Sequence, residues 1–308
     1  MNHSQEKTEG KQAVVLALGM FDGVHLGHQA LLKRAVEMAK KCGAQPMAYS
    51  FVEHPQQVFG GEVECLTRAQ ERADIIESFG VQACLVPFDR ALAALSPEAF
   101  IERLIERFDL RGVVVGFNYH FGVCASGDEH TLRALGEKEG FAVDVVGEVQ
   151  WGGQSVSSSR IRQALKDGRL DEANAMLGRP YFFRGIVGRG RQIGTQIGFP
   201  TLNLSVEGKA VPAFGVYSGQ VRRGHDLFGN EGFWPAVVNI GDNPTVKDDA
   251  RVIVESHVFA PIGTLYDEEI VVRLLRFQRG QERFGSLEAL QEQIAKDSAE
   301  AAIFLGEE

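Results

Sequence analysis

Short apolar runs alternate with helix-like segments through the first half of this chain. Each segment between the runs repeats its apolar positions at helical spacing. The apolar runs lie at 13–18, 46–51, 83–87, 112–116 and 142–147, and the helical segments at 28–42, 67–79, 96–107, 129–139 and 158–167. Strands that alternate with helices at this spacing predict an α/β fold, in which helices cover both faces of a parallel sheet.

The pattern changes after Tyr181. Strand-like runs now follow one another closely, and helical spacing returns only at 286–305. These runs are FFRGIV, GVYSGQV, WPAVVNIG, RVIVESHVF and EEIVVRLLRF. Closely spaced strands with turn residues between them predict an antiparallel sheet, most simply a small β-barrel with one C-terminal helix. The change in pattern therefore predicts two domains, at 13–183 and 184–308.

Length and composition set limits on these domains. At 308 residues, with 44% hydrophobic and 24% charged residues, the chain resembles ordinary globular proteins with two cores. No apolar run approaches the roughly 20 residues of a membrane span, and the polar segment 1–12 is expected to be a disordered tail rather than a signal peptide. A net charge of −9 argues against broad nucleic-acid binding, although it says little about a mononucleotide site. We therefore expect neither a membrane nor a nucleic-acid partner.

The cysteines bear on the cellular compartment. All four lie in the first half, and none forms a Cys-x-x-Cys metal pattern: Cys42, Cys65, Cys84 and Cys124. Unpaired thiols are typical of a reducing cytoplasm. We expect a cytoplasmic protein that is a monomer or a weak homo-oligomer.

The segment GMFDGVHLGH, residues 19–28, joins the first predicted strand to the first predicted helix. Glycines let the backbone approach an anion, and a helix N-terminus offers unpaired N–H groups and the positive end of its dipole. His25 and His28 are spaced so that both can face one phosphate and donate hydrogen bonds to charge that develops there. Taken alone, the segment fits a tight turn with two solvated histidines better than a catalytic site.

Residues 14–308 nevertheless resemble the bacterial bifunctional riboflavin kinase/FMN adenylyltransferase family, also called FAD synthetases. The motifs GMFDGVHLGH, SFVEHP, VVVGFNYHFG, SGDE and SSSRIR occur in the first half, and LGRPYFFRGIV, IGFPTLNL, GVYSGQV, VVNIGDNPT, VESHVF and LYDEEIVVRLLRF in the second. Their order and spacing match the family. The resemblance implies a nucleotidyltransferase domain with a Rossmann-like parallel sheet, followed by a β-barrel kinase domain. The implied reactions are ATP-dependent phosphorylation of riboflavin to FMN and adenylylation of FMN to FAD, with release of pyrophosphate.

In the first domain, the resemblance implies that His25 and His28 are catalytic and contact the α-phosphate of ATP. SSSRIR alone is a good helix start with a serine N-cap, and the resemblance adds the binding of the departing pyrophosphate. GFNYHFG alone is a strand end with aromatic residues, and the resemblance makes Asn118 a contact to the acceptor, FMN. The other implied nucleotide-binding residues are Gly19, Phe21, Asp22, Gly23, Ser158, Ser159 and Arg162.

In the second domain, the resemblance makes Thr201 and Asn203 the residues that hold Mg²⁺, which prefers such oxygen ligands. Glu255, otherwise a solvated charge on a strand, becomes the base that accepts the proton of the ribityl hydroxyl. Arg279 and Phe284 are placed beside the flavin. A glycine-rich segment that alone reads as a surface hairpin is implied to close over the ATP phosphates, with Gly190, Gly194 and Gly198.

Four residues at three places depart from the family's pattern and bear on ligand affinity rather than on the fold. Tyr119-His120 stands where many relatives carry Phe-Arg, Thr195 where Arg is common, and Gln281 where Glu is common. Two alternatives therefore stay open at this point. One is a riboflavin kinase with a degenerate adenylyltransferase domain, and the other is a flavin-binding regulatory protein on the same scaffold.

Overall fold

The computed structural model describes residues 10–188, 199–229, 231–242, 252–263 and 265–306. The chain divides into two compact units, Met1–Ser158 and Ser159–Glu308. The boundary after Ser158 lies before Tyr181, where the sequence pattern changes, because the two helices between these residues pack with the second unit.

The first unit is built on a five-stranded parallel sheet in the order β3-β2-β1-β4-β5. Its strands are β1 (Ala13–Leu18), β2 (Gln45–Phe51), β3 (Gln82–Val86), β4 (Asp109–Gly116) and β5 (Ala142–Val146). A two-stranded hairpin follows, formed by β6 (Gln150–Trp151) and β7 (Gln154–Ser155). The predicted parallel sheet is confirmed, and its central strand β1 is almost wholly buried.

Six helices accompany this sheet: α1 (Leu26–Cys42), α2 (Pro55–Val58), α3 (Ala69–Glu77), α4 (Arg90–Ala93), α5 (Pro97–Arg107) and α6 (Glu129–Glu139). Local chemistry sets their ends. Ser96 caps α5 by accepting a hydrogen bond from the N–H of Ala99, and Asp128 caps α6 in the same way. Helix α1 ends at Gly43, whose φ of 62° suits the left-handed C-cap position.

The strand order places two loops side by side at the carboxyl edge of the sheet. From β1 the chain proceeds to β2 on one side, whereas β4 lies on the other side of β1. The direction of winding thus reverses between β1 and β4, and open α/β sheets bind ligands at such a switch point. The histidine-containing turn follows β1, and GFNYHFG follows β4.

The second unit is a six-stranded antiparallel barrel in the order β8-β13-β10-β11-β12-β9. Its strands are β8 (Tyr181–Ile186), β9 (Leu202–Val206), β10 (Gly215–Arg223), β11 (Trp234–Asp242), β12 (Val252–Val258) and β13 (Glu269–Gly280). An isolated bridge between Gly188 and Asn203 joins the two ends of the sheet, with a hydrogen bond of 2.9 Å from Gly188 N to Asn203 O. The predicted barrel is confirmed, although β9 was not predicted as a strand.

Among the described residues from Ser158 onward, three helices occur: α7 (Ser158–Lys166), α8 (Leu170–Leu177) and α9 (Leu287–Gly306). The side chain of Asn174 on α8 donates to Leu274 O at 3.0 Å and accepts from Tyr181 N at 2.7 Å, which attaches α8 to β13 and β8. Helix α9 is the predicted C-terminal helix, and its Ala301 packs against Val216 and Val237.

Candidate active sites

The turn between β1 and α1 has an unusual backbone. A short 3-10 segment, Asp22–Val24, follows Phe21, and the φ angles of Phe21, Gly23 and Val24 are 54°, 77° and 38°. Glycine adopts positive φ readily, whereas a phenylalanine and a β-branched valine do so only where the surrounding structure enforces it. Backbone strain of this kind concentrates at functional sites.

Buried polar side chains hold this turn in place. The Oδ1 atom of Asp22 accepts hydrogen bonds from Thr67 N at 3.1 Å and from Thr67 Oγ1 at 3.4 Å. Thr67 Oγ1 in turn accepts from Gly23 N at 3.0 Å. The buried Arg72 donates to the carbonyl oxygens of Phe51 and Val52. Burial lowers the pKa of Arg72, and the negative charge of Asp22 opposes that effect.

Sequence reasoning missed Thr67 and Arg72. Both lie in or beside a segment that was recognised only by its helical spacing, and that spacing does not identify the partner of a buried polar side chain. The predicted nucleotide-binding residue Asp22 thus has a structural role, because its carboxylate anchors the turn through Thr67.

His25 and His28 lie together at the N-terminus of α1. Their rings stack with centroids 3.7 Å apart and planes inclined by 16°. His25 also caps the helix, since its Nδ1 accepts a hydrogen bond of 3.4 Å from His28 N. The phenyl ring of Phe21 lies 5.2 Å from the ring of His28. The turn therefore brings both imidazoles to the end of the helix that favours anions.

Gly27 provides the space that His25 occupies. A Cβ atom built on Gly27 would lie 3.1 Å from Cε1 and 3.2 Å from Nδ1 of His25. This is closer than side-chain carbon atoms normally approach, so any residue other than glycine would displace the imidazole. The glycine between the two histidines is thus explained by packing as well as by the resemblance.

Ser158, the first residue of α7, is tied to the histidine-containing turn. Its Oγ donates a hydrogen bond of 2.9 Å to the backbone carbonyl of Asp22. Ser159 and Arg162 follow on the same helix, in the second compact unit. The sequence-predicted pyrophosphate segment therefore begins against the turn that carries the histidines.

The loop after β4 combines exposed and buried residues. Asn118 and His120 are exposed, whereas Tyr119 packs into the core, where its ring stacks on Phe121 with a centroid distance of 5.7 Å. Burial raises the pKa of the Tyr119 hydroxyl, and the neighbouring Tyr49 adds to the rise. Tyr119 therefore has a structural role, and His120 is the residue of the pair that solvent or a ligand can reach.

In the second unit, three polar residues lie side by side on neighbouring strands. Glu255 on β12 is paired with Asn203 on β9 and with Asn239 on β11. Directly paired residues in antiparallel strands point to the same face of the sheet, so these side chains form a row. Asn239 Nδ2 donates to Glu255 Oε2 at 3.4 Å. We call Asn203, Glu255 and Asn239 the polar row.

Asn203 and Thr201 are brought together at one end of this row. Asn203 Nδ2 donates to Thr201 O at 3.3 Å and to Thr201 Oγ1 at 3.4 Å. Asn203 Oδ1 is buried and accepts no hydrogen bond from any of the described residues. His257 holds the preceding segment, with its Nδ1 2.9 Å from Pro200 O. The amide nitrogen of Asn203 is thus committed to Thr201, while its oxygen is available to a cation.

Arg279 makes a bidentate ion pair with the buried Asp297 of α9. Its Nε lies 3.0 Å from Asp297 Oδ1 and its Nη2 2.7 Å from Oδ2. The hydrogen bonds to Asp297 raise the pKa of Arg279. The guanidinium carbon also lies 5.9 Å from the centre of the Phe284 ring. The structure thus brings the two predicted flavin contacts together, and it shows an anchoring role for Arg279 that sequence reasoning missed.

Four other positions singled out in the sequence lie outside the described residues: Gly190, Gly194, Thr195 and Gly198. Gln281 lies over Gly241, where an added Cβ would be 2.1 Å from Gln281 Nε2. Among the described residues, no group of three or more histidine, cysteine, aspartate or glutamate side chains is placed to hold a metal ion.

Comparison with known proteins separates the chain into two matched regions. A family model described as FAD synthetase matches residues 7–160, and one described as riboflavin kinase matches residues 177–305. The first region contains the histidine pair and the second contains the polar row.

Two relatives and one solved structure match the chain along almost its whole length. A bifunctional riboflavin kinase/FMN adenylyltransferase of Escherichia coli K12 is 36% identical, over 99% of this chain and 96% of that protein. One from Listeria monocytogenes is 34% identical, over 94% of this chain and 92% of that protein. A crystal structure described as a macrolide-efflux protein from Streptococcus pneumoniae has a TM-score of 0.83 and 28% identity, covering 96% of this chain and 95% of that one. Within the described residues, no helix has both the length and the apolar character needed to cross a membrane.

Proposed function

Because this chain belongs to the bifunctional riboflavin kinase/FMN adenylyltransferase family, we propose that the histidine turn and the polar row are its two active sites. The enzyme phosphorylates riboflavin to FMN with ATP and adenylylates FMN to FAD with ATP, releasing pyrophosphate. Matches to both domain models favour this function over a kinase with a degenerate first domain or a regulatory protein. The proposal is supported by where the polar side chains lie. The histidine pair is in the region that matches the FAD synthetase model, and the polar row is in the region that matches the riboflavin kinase model.

In the adenylyltransferase site, the phosphate of FMN attacks the α-phosphorus of ATP. The residues of this chain supply position and charge rather than a covalent intermediate. His25 and His28 would donate hydrogen bonds to the α-phosphate at the N-terminus of α1, where the stacked rings lie. Ser158, Ser159 and Arg162 would hold the departing pyrophosphate. Asn118 would contact FMN from the loop after β4, the other side of the switch point.

The strained turn supports this arrangement. Gly19, Phe21, Asp22 and Gly23 would form the wall along which the nucleotide lies. Within it, the Asp22 carboxylate fixes the backbone through Thr67, and Phe21 packs on the ring of His28. We propose that these residues bind the nucleotide mainly through the shape and N–H groups of the turn.

In the kinase site, Glu255 would accept the proton of the ribityl hydroxyl as that oxygen attacks the γ-phosphorus of ATP. The bond from the γ-phosphorus to the bridging oxygen breaks, and ADP leaves. Thr201 and Asn203 fit a Mg²⁺ site, since they offer two neutral oxygens and the buried Asn203 Oδ1 has no hydrogen-bond donor among the described residues. When bound, Mg²⁺ supplies charge neutralisation on the phosphates. Gly190, Gly194 and Gly198 would cradle those phosphates, and Arg279 and Phe284 would lie beside the flavin.

We propose the cytoplasm as the place of action because ATP is the co-substrate of both steps. The substrates are small molecules, and we propose a monomer or a weak homo-oligomer that needs neither a membrane nor nucleic acid. We also retain residues 13–183 and 184–308 as the two domains and 1–12 as a tail. Soluble expression of 184–308 with kinase activity is the result expected of that boundary, whereas a need for residues 159–183, which include α8 and the start of β8, would move the boundary to Ser159.

The direct experiment is incubation of the full chain with riboflavin, ATP and Mg²⁺, while FMN and FAD are followed by chromatography. FMN should appear first and FAD after it. Omission of Mg²⁺ with added chelator should stop riboflavin phosphorylation. FMN that accumulates without FAD would contradict the adenylyltransferase assignment, and failure to form FMN would contradict the kinase assignment.

A further inference from the structure

Asn239 on β11 lies directly across from Glu255 on β12. We propose that Asn239 is a positioning residue for riboflavin phosphorylation, and that its amide holds one carboxylate oxygen of Glu255 while the other accepts the proton. This inference rests on the proposed role of Glu255 as the base. Among the described residues, Asn239 makes no side-chain hydrogen bond to Thr201 or to Arg279, the other groups proposed for this site.

The hydrogen bonding of Glu255 supports this role. Among the described residues, its carboxylate accepts one side-chain hydrogen bond, from Asn239 Nδ2 to Oε2 at 3.4 Å. A glutamate side chain has several rotatable bonds, and ordering it costs conformational entropy. One directional bond to Oε2 restricts the terminal rotation and leaves Oε1 unoccupied by any described partner. The bond is long, as hydrogen bonds in ligand-free active sites often are.

The opposite neighbour in the row does not provide this bond. Asn203 is also paired with Glu255, but its Nδ2 donates to Thr201 O and Oγ1. Asn239 is therefore the amide that is directed at the base, and Asn203 the amide that is directed at Thr201, its partner in the proposed metal site. The two asparagines of the polar row thus have different tasks although they flank the same carboxylate.

An amide also suits the task chemically. It donates a hydrogen bond to the carboxylate, but it cannot take the proton that the carboxylate must accept. A lysine or arginine at the same position would form an ion pair and would compete with the substrate for the base. Asn239 is short and half-buried in a paired strand, so its own position is fixed by the backbone.

The test uses the full chain with Asn239→Leu and Asn239→Ala, both of which remove the N–H donor without adding a charge beside Glu255. Leucine is similar in size, and alanine is small enough to fit should leucine fail to fold. Each variant should lower kcat for riboflavin phosphorylation about 10- to 100-fold, which is the range for a hydrogen bond to a charged group, with little change in either KM. FAD formation from supplied FMN should be unchanged. Gln220→Leu, on the neighbouring strand β10, is the matched control and should leave both activities intact.

A double-mutant cycle with Glu255→Gln separates positioning from a general structural effect. If Asn239 acts through the carboxylate, Asn239→Ala should cause no further loss of kcat in the Glu255→Gln background. Losses that multiply, or a change confined to KM, would overturn the inference. If Glu255→Gln alone keeps normal activity, the proposed base is wrong. If Glu255→Gln is inactive while both Asn239 variants are normal, only the present inference fails.

Discussion

The imidazole rings of His25 and His28 stack with their centroids 3.7 Å apart, at the N-terminus of the helix that follows the central strand. Two ring nitrogens donating to one phosphate from this position would act in concert with the helix dipole. Because the two rings are in contact, we expect both histidines to act together on one phosphate. Loss of either ring should therefore disable the adenylyl site without affecting the barrel.

His28→Ala should lower FMN adenylylation about 10²- to 10³-fold, which is the usual cost of removing a donor that stabilises developing charge. Riboflavin phosphorylation by the same variant should be unchanged and serves as the internal control. The measurement is the initial rate of FAD formation from FMN and of FMN formation from riboflavin. A variant that retains FAD synthesis would show that the ring does not contact the reacting phosphate.

Gly27→Ala should lower FAD formation without lowering the stability of the protein. Alanine has a higher helix propensity than glycine by about 1 kcal/mol, yet its Cβ would lie 3.1 Å from Cε1 of His25. We expect FAD formation to fall while thermal unfolding shows no loss of stability. Gly147→Ala, where nothing lies within 4 Å of the added Cβ, is the control. Equal activity of the two variants would mean that His25 can move without consequence.

Glu255→Gln should reduce riboflavin phosphorylation about 10²- to 10⁴-fold, the contribution usual for a general base. Glutamine keeps the shape of the side chain and can still meet Asn239 across the strands. FAD formation from supplied FMN should continue at the rate of the unmodified enzyme. The assignment of the base would be refuted by near-normal FMN production.

His120→Arg should tighten FMN binding in the adenylyl step if this exposed residue faces the FMN phosphate. Arginine provides a permanent charge and a bidentate donor for phosphate. The apparent KM for FMN should fall, with riboflavin phosphorylation unaffected. His225→Arg, on an exposed loop of the other unit, is the matched control. Identical KM values in both variants would place His120 away from the acceptor.

Asp297→Asn should destabilise the attachment of the C-terminal helix by about 1.5–3 kcal/mol, because it breaks the bidentate, largely buried pair with Arg279. Thermal unfolding of the second unit should shift downward, and kinase activity should fall with it. If stability is unchanged while the KM for riboflavin rises, the pair serves the flavin rather than the helix. Glu282→Gln, whose carboxylate lies 4.0 Å from the same guanidinium and is more exposed, is the control.

The sequence predicted the elements of this fold better than the relations between them. The predicted strand at 13–18 coincides with β1, and the helix at 129–139 coincides with α6, because apolar spacing and capping residues are local signals. The polar row could not be assembled in this way. Its three members come from distant segments, and only the register of β9, β12 and β11 brings them together.

Buried polar partners were also beyond the reach of pattern analysis. Thr67 and Asp297 have no motif of their own, and each is recognisable only when its partner, Asp22 or Arg279, is seen beside it. The histidine pair was found because its two members are close in sequence and lie at a strand–helix junction. Site residues are thus predictable from sequence when helix geometry connects them, and much less so when a sheet does.

The bridge between Gly188 and Asn203 gives one residue two separable tasks. The backbone carbonyl of Asn203 closes the barrel, whereas its side-chain amide belongs to the polar row. Changing the side chain should therefore remove the proposed Mg²⁺ ligand and leave the barrel closed. Conversely, hydrogen exchange at the Gly188 amide would measure how often the bridge to Asn203 opens, whether or not a ligand is bound. Exchange at this one amide therefore distinguishes a variant that has lost only its side-chain function from a variant whose barrel has opened.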